Sequence, residues 1–225
     1  MRPLFFALPF IPVGLAHAAL DISCPEFPAF TASTWSRTVL HDAIVRGDVA
    51  EAQRLMTPEI IDVQDDFGNT PLLTALVPSQ ILEPHGVFSP DVEAAKIRRE
   101  ETVRQQIISA LLKRRASMNI GNDIGVTPLM QLAEWGYSPD IDLDFARQMI
   151  ALGADVNARD IFGSTALMLA AGRGKEALVR LLLLSGADPS LMTCRGSTAH
   201  TWALERGHEQ IARELQAVVE LRQKE

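Results

Sequence analysis

The stretch that decides the fold runs from Phe162 to Asp188 and reads FGSTALMLAAGRGKEALVRLLLLSGAD. Its first half holds a turn glycine, a threonine and a short alanine-rich segment, and its second half is rich in leucine. Thr165 can cap a helix with its hydroxyl group, and Gly186 suits the left-handed position that follows a helix. The stretch therefore predicts two short helices joined by a turn.

This pattern recurs along the chain. Four segments share a glycine followed two residues later by a threonine and then an apolar residue, and a fifth carries only the second half of the pattern. The threonines are Thr38, Thr70, Thr127, Thr165 and Thr198, which lie 32, 57, 38 and 33 residues apart. One such unit cannot bury the apolar stripe of its second helix alone, so neighbouring units must stack around a common core.

The repeat resembles the ankyrin repeats, whose length is about 33 residues. The family pattern opens on Gly-x-Thr-Pro-Leu-His, continues through an Ala-rich helix, a glycine and a Leu-rich helix, and closes on Gly-Ala-Asp. Residues 165–188 match it almost throughout, and the close recurs at residues 152–158. The resemblance covers about residues 34–220. It implies an all-α ankyrin-repeat solenoid of about five helix-turn-helix units with hairpin turns.

The resemblance also implies the domain boundaries. The ankyrin-repeat domain is expected to span residues 34–225, with repeats at about 34–64, 65–121, 122–158, 159–191 and 192–220. Pro71 and Pro128 suit the first position of a helix, and the turn glycines suit positive φ. The first repeat lacks the turn glycine, as a capping unit can.

Repeats two and three exceed the usual length by 24 and 5 residues, and both insertions fall between the two helices of their repeat. The insertion at about 78–101 begins as an irregular loop that contains Phe88. Ser89-Pro90-Asp91 then resembles a helix start, and nothing breaks a helix up to Arg115. We interpret the insertion either as a partner-contacting extension or as an elaboration that folds over the scaffold.

Residues 1–18 have the features of a cleaved signal peptide. Arg2 precedes an uncharged apolar run over residues 4–15, and Ala16-His17-Ala18 gives the small-x-small pattern of a cleavage site. The run is too short to cross a bilayer of about 30 Å as a helix, which disfavours an uncleaved anchor. We predict cleavage after Ala18 or, as second choice, Ala19, with an N-terminal extension over residues 19–33 and a periplasmic or secreted location.

The two cysteines leave alternatives open. Asp21 stands where lipid attachment to Cys24 requires a Leu-like residue, which disfavours lipidation. An exported protein can form a disulfide, but Cys24 and Cys194 lie near opposite ends of a linear stack. Because a disulfide needs Cα atoms within about 7 Å, separate thiols are favoured over a Cys24–Cys194 bond.

The sequence gives no support to an enzyme, a metal site or a cofactor. The mature chain has four histidines at separate places, and no His-x-x-x-His or Cys-x-x-Cys spacing occurs. The resemblance implies a structural hydrogen bond for His41 and His200. The acids Asp140, Asp142 and Asp144 lack the glycine and final glutamate of a calcium loop, so we interpret them as a solvated insertion.

Charge and composition restrict the partners. The chain carries a net charge of −7 and has no basic stripe, which argues against binding to nucleic acid. The resemblance implies binding through hairpin tips and the first helices of the repeats. Phe67, Ile124 and Phe162 form an apolar row at three successive tips, which is either an interface or packing between adjacent hairpins. The predicted partner-binding residues are Asp66, Phe67, Asn69, Phe88, Ile124, Val126, Trp135, Ile161, Phe162 and Arg195.

These features together predict a monomeric, non-catalytic scaffold that binds a partner protein in the bacterial periplasm or outside the cell. The bacterial origin is inferred because eukaryotic ankyrin repeats are mostly intracellular. Resemblance to exported bacterial ankyrin proteins suggests two more specific roles. One is support of a periplasmic enzyme such as catalase in oxidative defence, and the other is action on proteins of a foreign cell. A structural accessory of an envelope complex is a further alternative.

Overall fold

The computed structural model describes residues 38–77, 90–136 and 139–222. Within these ranges the chain forms ten helices and no strand, so the all-α prediction is confirmed there. In chain order the helices are α1 (Val39–Val45), α2 (Val49–Leu55), α3 (Pro71–Leu76), α4 (Pro90–Lys113), α5 (Pro128–Trp135), α6 (Pro139–Ala151), α7 (Ala166–Gly172), α8 (Glu176–Leu184), α9 (Ala199–Glu205) and α10 (Glu209–Arg222).

The helices stack in two layers. The first helices of the five pairs contact one another in succession, α1 against α3, then α5, α7 and α9, and the second helices α2, α4, α6 and α8 do the same. The core lies between the layers. Leu40, Leu72, Leu129 and Leu167 occupy one equivalent position in four first helices and are each at most 1% exposed. Burial of a leucine stabilises the fold by about 1.5–3 kcal/mol, so this repeated position holds the layers together.

Threonine starts each first helix, as the sequence predicts. The hydroxyl of Thr70 accepts a hydrogen bond from the backbone N–H of Leu73 at 3.3 Å, and the other four threonines cap their helices in the same way. Pro71 and Pro128 occupy the first turn, where a missing N–H costs nothing. The cap therefore fixes where each repeat turns from its hairpin into its first helix.

Glycine closes the second helices of repeats three and four at positive φ, 93° for Gly153 and 91° for Gly186. Arg115 takes the equivalent place after α4 and also has a positive φ of 59°. Its backbone N–H donates to Leu112 at 3.0 Å, so the chain turns there and α4 ends at Lys113. The predicted helix therefore exists, and it ends two residues before Arg115.

The five-residue insertion of repeat three is helical. It contributes to α6, which has 13 residues against 9 in α8. Asp142 is only 3% exposed and pairs with Lys175 of the next repeat. The interpretation of the three acids as a solvated insertion is therefore wrong for Asp142, although Asp140 and Asp144 are exposed.

Cys194 is disulfide-bonded, and no described cysteine is free. The preference for separate thiols is therefore wrong. It rested on the distance between the ends of the stack, a distance that the residues before the first repeat are numerous enough to span when extended. Cys24 itself lies outside the described residues, as do the predicted signal peptide, the extension at 19–33 and the loop that contains Phe88.

None of the helices in the described ranges combines the length and the apolar character needed to cross a bilayer.

Candidate binding surface

Four hairpin turns precede the first helices of repeats two to five. In three of them an aspartate or asparagine side chain organises the turn by accepting two backbone hydrogen bonds. Oδ1 of Asp160, for example, accepts from the N–H groups of Phe162 at 2.9 Å and Ser164 at 2.7 Å. Asp65 and Asn122 do the same in their own hairpins. The polar residue before each tip therefore sets the direction in which the tip points.

Backbone hydrogen bonds join the four hairpins into one continuous ladder. The N–H of Asp123 donates to the carbonyl of Phe67 at 3.1 Å, that of Ile161 to Ile124 at 3.0 Å, and that of Cys194 to Phe162 at 2.8 Å. These bonds place Phe67, Ile124 and Phe162 in one line along the stack. We call this line the hairpin ridge. Its geometry depends on the main chain and does not require any partner to form.

The ridge side chains are half-buried and lie outside the buried core. Both interpretations of the row, an interface and packing between adjacent hairpins, therefore apply in part. One part of each side chain packs locally, and the other part faces solvent. Four predicted residues beside the ridge are exposed in whole or in part. Asp66 and Arg195 are exposed, Ile161 is 37% exposed, and Asn69 is half-buried. The surface thus has an apolar line with charged residues at its two ends.

Val126 and Asn69 of the predicted set also make contacts that hold the fold together. The half-buried Val126 packs against the core. The carbonyl of Asn69 is 2.8 Å from Nε2 of His41, whose Nδ1 is 2.7 Å from the hydroxyl of Thr38. His41 is fully buried, and it fixes α1 to the hairpin of repeat two.

A second ladder of hydrogen bonds links the turns that follow the second helices of successive repeats. Oδ1 of Asn157 accepts from the N–H of Asp188 at 2.8 Å, and its Nδ2 donates to the carbonyl of Gly186 at 3.1 Å. Asn119 makes the equivalent bonds to Asp155 and Gly153 at 2.8 Å each. Each asparagine therefore holds the next repeat in register and keeps the hairpins at a constant spacing.

One hairpin carboxyl, that of Asp160, is affected mainly by burial. Burial raises the pKa of the Asp160 carboxyl above its ordinary value, against the opposing effects of the Ser164 and Phe162 hydrogen bonds and of Arg159. Its equivalent in repeat three, Asn122, makes the same two backbone bonds without a charge. The turn therefore needs an acceptor oxygen and does not need a carboxylate.

Trp135 is not part of the ridge. It ends α5, one helix length of about 10 Å from the hairpin of its repeat. The guanidinium of Arg173 lies 5.6 Å from the centre of the Trp135 ring and pairs with the carboxylate of Glu134. This hydrogen bond raises the pKa of Arg173, while burial opposes the rise. Trp135 therefore belongs to a separate polar and aromatic cluster at the turns between first and second helices.

Lys175 extends this cluster into the interior. Its Nζ donates to the carbonyl of Leu132 at 2.9 Å and to Oδ2 of Asp142 at 3.2 Å. Burial lowers the pKa of Lys175, and the Asp142 carboxylate opposes that effect. A Cβ at Gly136 would collide with both charged groups. The pair therefore links repeats three and four, and its charges are satisfied within the protein.

Sequence reasoning missed Arg173, Lys175 and Trp202. The half-buried Trp202 lies against Gly172, where a Cβ would be 3.3 Å from its ring. Counting residues from the capping threonine of each repeat would have shown that Trp202 lies at the same position of its first helix as Gln131 and Leu169. Among the described residues, no three His, Cys, Asp or Glu side chains form a group that could hold a metal ion.

Comparison with known proteins agrees with this geometry. Residues 137–223 match the family model for ankyrin repeats in three copies. The same pairs of helices and hairpins extend from Thr38 through the described part of the chain, so the predicted class, a helical ankyrin-repeat solenoid, is confirmed.

Curated relatives match over a similar length. The chain is 40% identical over 82 residues to the Drosophila melanogaster protein named Ankyrin repeat and KH domain-containing protein mask. It is 37% identical over 82 residues to human Ankyrin repeat and KH domain-containing protein 1. Each match covers 36% of this chain but only 2% and 3% of the two relatives. The likeness therefore concerns the ankyrin repeats and not the whole relatives.

Proposed function

We propose that this chain is an exported, non-catalytic scaffold that binds a partner protein through the hairpin ridge and the tips beside it. The observation that carries the proposal is the backbone ladder. It aligns Phe67, Ile124 and Phe162 outside the core and keeps each of them partly accessible. Ankyrin repeats imply protein–protein interaction, and the ladder supplies a surface on which it can occur.

The layout of this surface suits recognition. Protein interfaces place apolar anchors at the centre and polar residues at the rim, and a few such anchors supply most of the binding energy. Here the exposed Asp66 and Arg195 flank the apolar line. Because hydrogen bonds between hairpins hold the line in place, a partner would lose little free energy in ordering it.

The buried polar groups favour a structural role. Lys175 bonds to Asp142 and to the carbonyl of Leu132, and His41 lies between Thr38 and Asn69. A catalytic group needs free access to substrate and a positioned base or acid. These groups are instead engaged between repeats, which is consistent with a scaffold.

Two observations support export. Residues 1–18 have the pattern of a signal peptide, and Cys194 is disulfide-bonded, which is usual outside the reducing cytosol. We place the protein in the bacterial periplasm or outside the cell. Support of a periplasmic enzyme and action on a foreign cell both fit this location. The animal relatives concern only the repeats and do not bear on it.

The binding proposal is tested by affinity capture with two matched variants. The ridge variant combines Phe67→Ser, Ile124→Ser and Phe162→Ser. The control combines Leu152→Ser, Leu184→Ser and Leu221→Ser, which are exposed apolar residues of the second-helix layer at 38%, 88% and 65% exposure. We expect the parent and the control to capture the same protein from envelope and secreted fractions, and the ridge variant to lose it. Equal capture by a folded ridge variant would overturn the proposal.

Export is tested separately on the protein purified from the source cells. N-terminal sequencing should show Ala19 or Leu20 as the first residue. An intact Met1 on the accumulated protein would contradict export by a cleaved leader, and would leave the ridge result unaffected.

A further inference from the structure

The charges at the hairpin tips change sign along the stack. Counted from the turn glycine, Asp66 and Asp123 occupy the same position in repeats two and three, and both are exposed. Ile161 stands at that position in repeat four. Because hydrogen bonds between the hairpins align these positions, the tips of repeats two and three place two carboxylates side by side.

Arginines occupy the tips at the other end of the stack. Arg195 stands at the position that the three ridge residues hold in earlier repeats, so the hairpin ridge continues into an exposed guanidinium. Arg159 is exposed as well and donates to the carbonyl of Met192 at 2.7 Å, which holds it against the hairpin of repeat five. The tips of repeats four and five therefore carry two permanent positive charges.

The acids of the last two hairpins are engaged with their own backbone. Oδ1 of Asp160 accepts the two N–H groups that shape its turn. Asp155 and Asp188 stand where their hairpins begin, and they accept from the N–H groups of Asn157 and Ser190. These carboxylates lie before the tips, so they do not pair with the guanidinium of the last tip.

The charges at the two ends do not neutralise each other. Within the described ranges, neither Asp123 nor Arg195 takes part in an ion pair. They lie two hairpins apart, which is about 16–20 Å at 8–10 Å per stacked helix. The Debye length at physiological salt is about 8 Å. Each charge is therefore screened from the other and can act on a ligand separately.

We propose that the partner binds along the hairpins in one direction, with a basic group against Asp123 and a carboxylate on Arg195. The forked guanidinium of an arginine matches a carboxylate. In an extended segment, at about 3.3 Å per residue, the two partner charges would stand about five or six residues apart. The opposite direction brings like charges together at both ends, which costs binding free energy. This inference rests on the proposed function and adds the charge order of the partner.

The charge pattern is tested without a partner by two small paramagnetic probes, the cationic aminomethyl-proxyl and the anionic carboxy-proxyl. At low salt, amide protons of residues 122–124 should relax about twofold faster with the cationic probe, and those of residues 194–196 about twofold faster with the anionic probe. The same ratio of the two relaxation rates at both ends would overturn the proposal.

Single charge reversals test the direction on the captured partner. Asp123→Lys and Arg195→Glu should each weaken binding about 3–10-fold at low salt, because each replaces an attraction with a repulsion. The losses should shrink at about 0.5 M salt, where screening is stronger. The matched controls are Asp144→Lys and Arg147→Glu, exposed residues of α6, which should bind within about twofold of the parent. Unchanged or tighter binding by either tip variant would overturn the assigned direction.

Failure of this inference can be told apart from failure of the proposed function. If the ridge variant loses the partner while both charge reversals bind as their controls do, the direction is refuted and the proposed function stands. If a folded ridge variant binds as the parent does, the proposed function is refuted, and the paramagnetic probes still report the charge pattern of the tips.

Discussion

Arg115 occupies a position at which the second helices of repeats three and four are followed by glycine. Its φ is 59°, against 93° for Gly153 and 91° for Gly186. Its N–H donates to the third carbonyl back, as those of the two glycines do. A side chain in the left-handed region costs about 1–2 kcal/mol. The fold therefore imposes the turn at this position even without the residue that favours it.

Arg115→Gly should raise the free energy of unfolding by about 1 kcal/mol, because it relieves this strain while keeping the same backbone hydrogen bonds. Urea unfolding of parent and variant measures the change. Gly153→Ala is the matched control and should lower stability by a similar amount, since its Cβ would meet nothing within 4 Å and only backbone strain is added. A less stable Arg115→Gly variant would contradict this account.

Asp160 is a carboxylate in a place where an amide serves equally well. Its pKa is raised mainly by burial, so the folded protein holds this proton more tightly than the unfolded chain does. Its contribution to stability is therefore fully present below the ordinary pKa of 3.8 and is lost as the pH rises through the folded pKa. Asp160→Asn keeps both backbone bonds, as Asn122 shows.

Relative to the parent, Asp160→Asn should gain stability as the pH rises from about 4 through the raised pKa. Unfolding free energies of both proteins across this pH range measure the difference. Asp160→Ala should instead lose about 1 kcal/mol per released N–H at neutral pH, because the Phe162 and Ser164 amides lose their acceptor. A stability difference between parent and Asp160→Asn that stays constant with pH would show that burial does not perturb this group.

At the scale of elements, asparagine side chains hold successive repeats in register. Asn157 makes two hydrogen bonds to the repeat that follows, to Asp188 and Gly186. Asn157→Ala should lower the free energy of unfolding by about 1–3 kcal/mol, because two backbone groups lose a partner. Ser190 stands at the equivalent position of repeat four and bonds to Asp188 within that repeat.

Ser190→Ala is therefore the matched control for Asn157→Ala and should cost less than about 1 kcal/mol. Chemical denaturation of both variants gives the comparison. Equal losses of stability at the two positions would show that the hydrogen bonds of Asn157 to the next repeat add nothing to the free energy of unfolding.

Helices and their ends could be predicted where the signal is local. Thr70 and Thr127 cap helices, and Pro71 and Pro128 follow in the first turn, because each acts on neighbouring backbone groups. Asp142 could not be predicted in the same way. Its partner Lys175 lies 33 residues away, and only the stacking of α6 on α8 brings the two together. Arg115 lacks the glycine signal, so its turn was missed too.

The same difference between local signals and long-range contacts applies to the candidate site. The periodic threonines and glycines placed Phe67, Ile124 and Phe162 at hairpin tips, and the ladder confirms that they share one line. Trp135 was grouped with them, although it lies at the far end of α5 beneath Arg173. Sequence spacing identifies equivalent positions in a repeat. Whether a side chain lies near the hairpin or at the opposite end of the first helix depends also on how long that helix is.

At the scale of the whole molecule, Cys194 is disulfide-bonded, and the sequence has a single other cysteine, Cys24. Cys194→Ser should lower the free energy of unfolding by about 2–4 kcal/mol under oxidising conditions. Cys24→Ser should cost the same, because both variants remove one bond. Thermal unfolding with and without a reducing agent measures the effect, which should vanish under reduction. Different losses for the two variants would point to a role of one thiol beyond the bond.

The central claim is that the hairpin ridge recognises a partner protein, and calorimetric titration of the captured partner tests it most directly. The ridge variant should bind at least about tenfold more weakly than the parent, which corresponds to about 1.4 kcal/mol. The control variant at Leu152, Leu184 and Leu221 should bind as the parent does. Equal affinity of the parent and a folded ridge variant would contradict the claim.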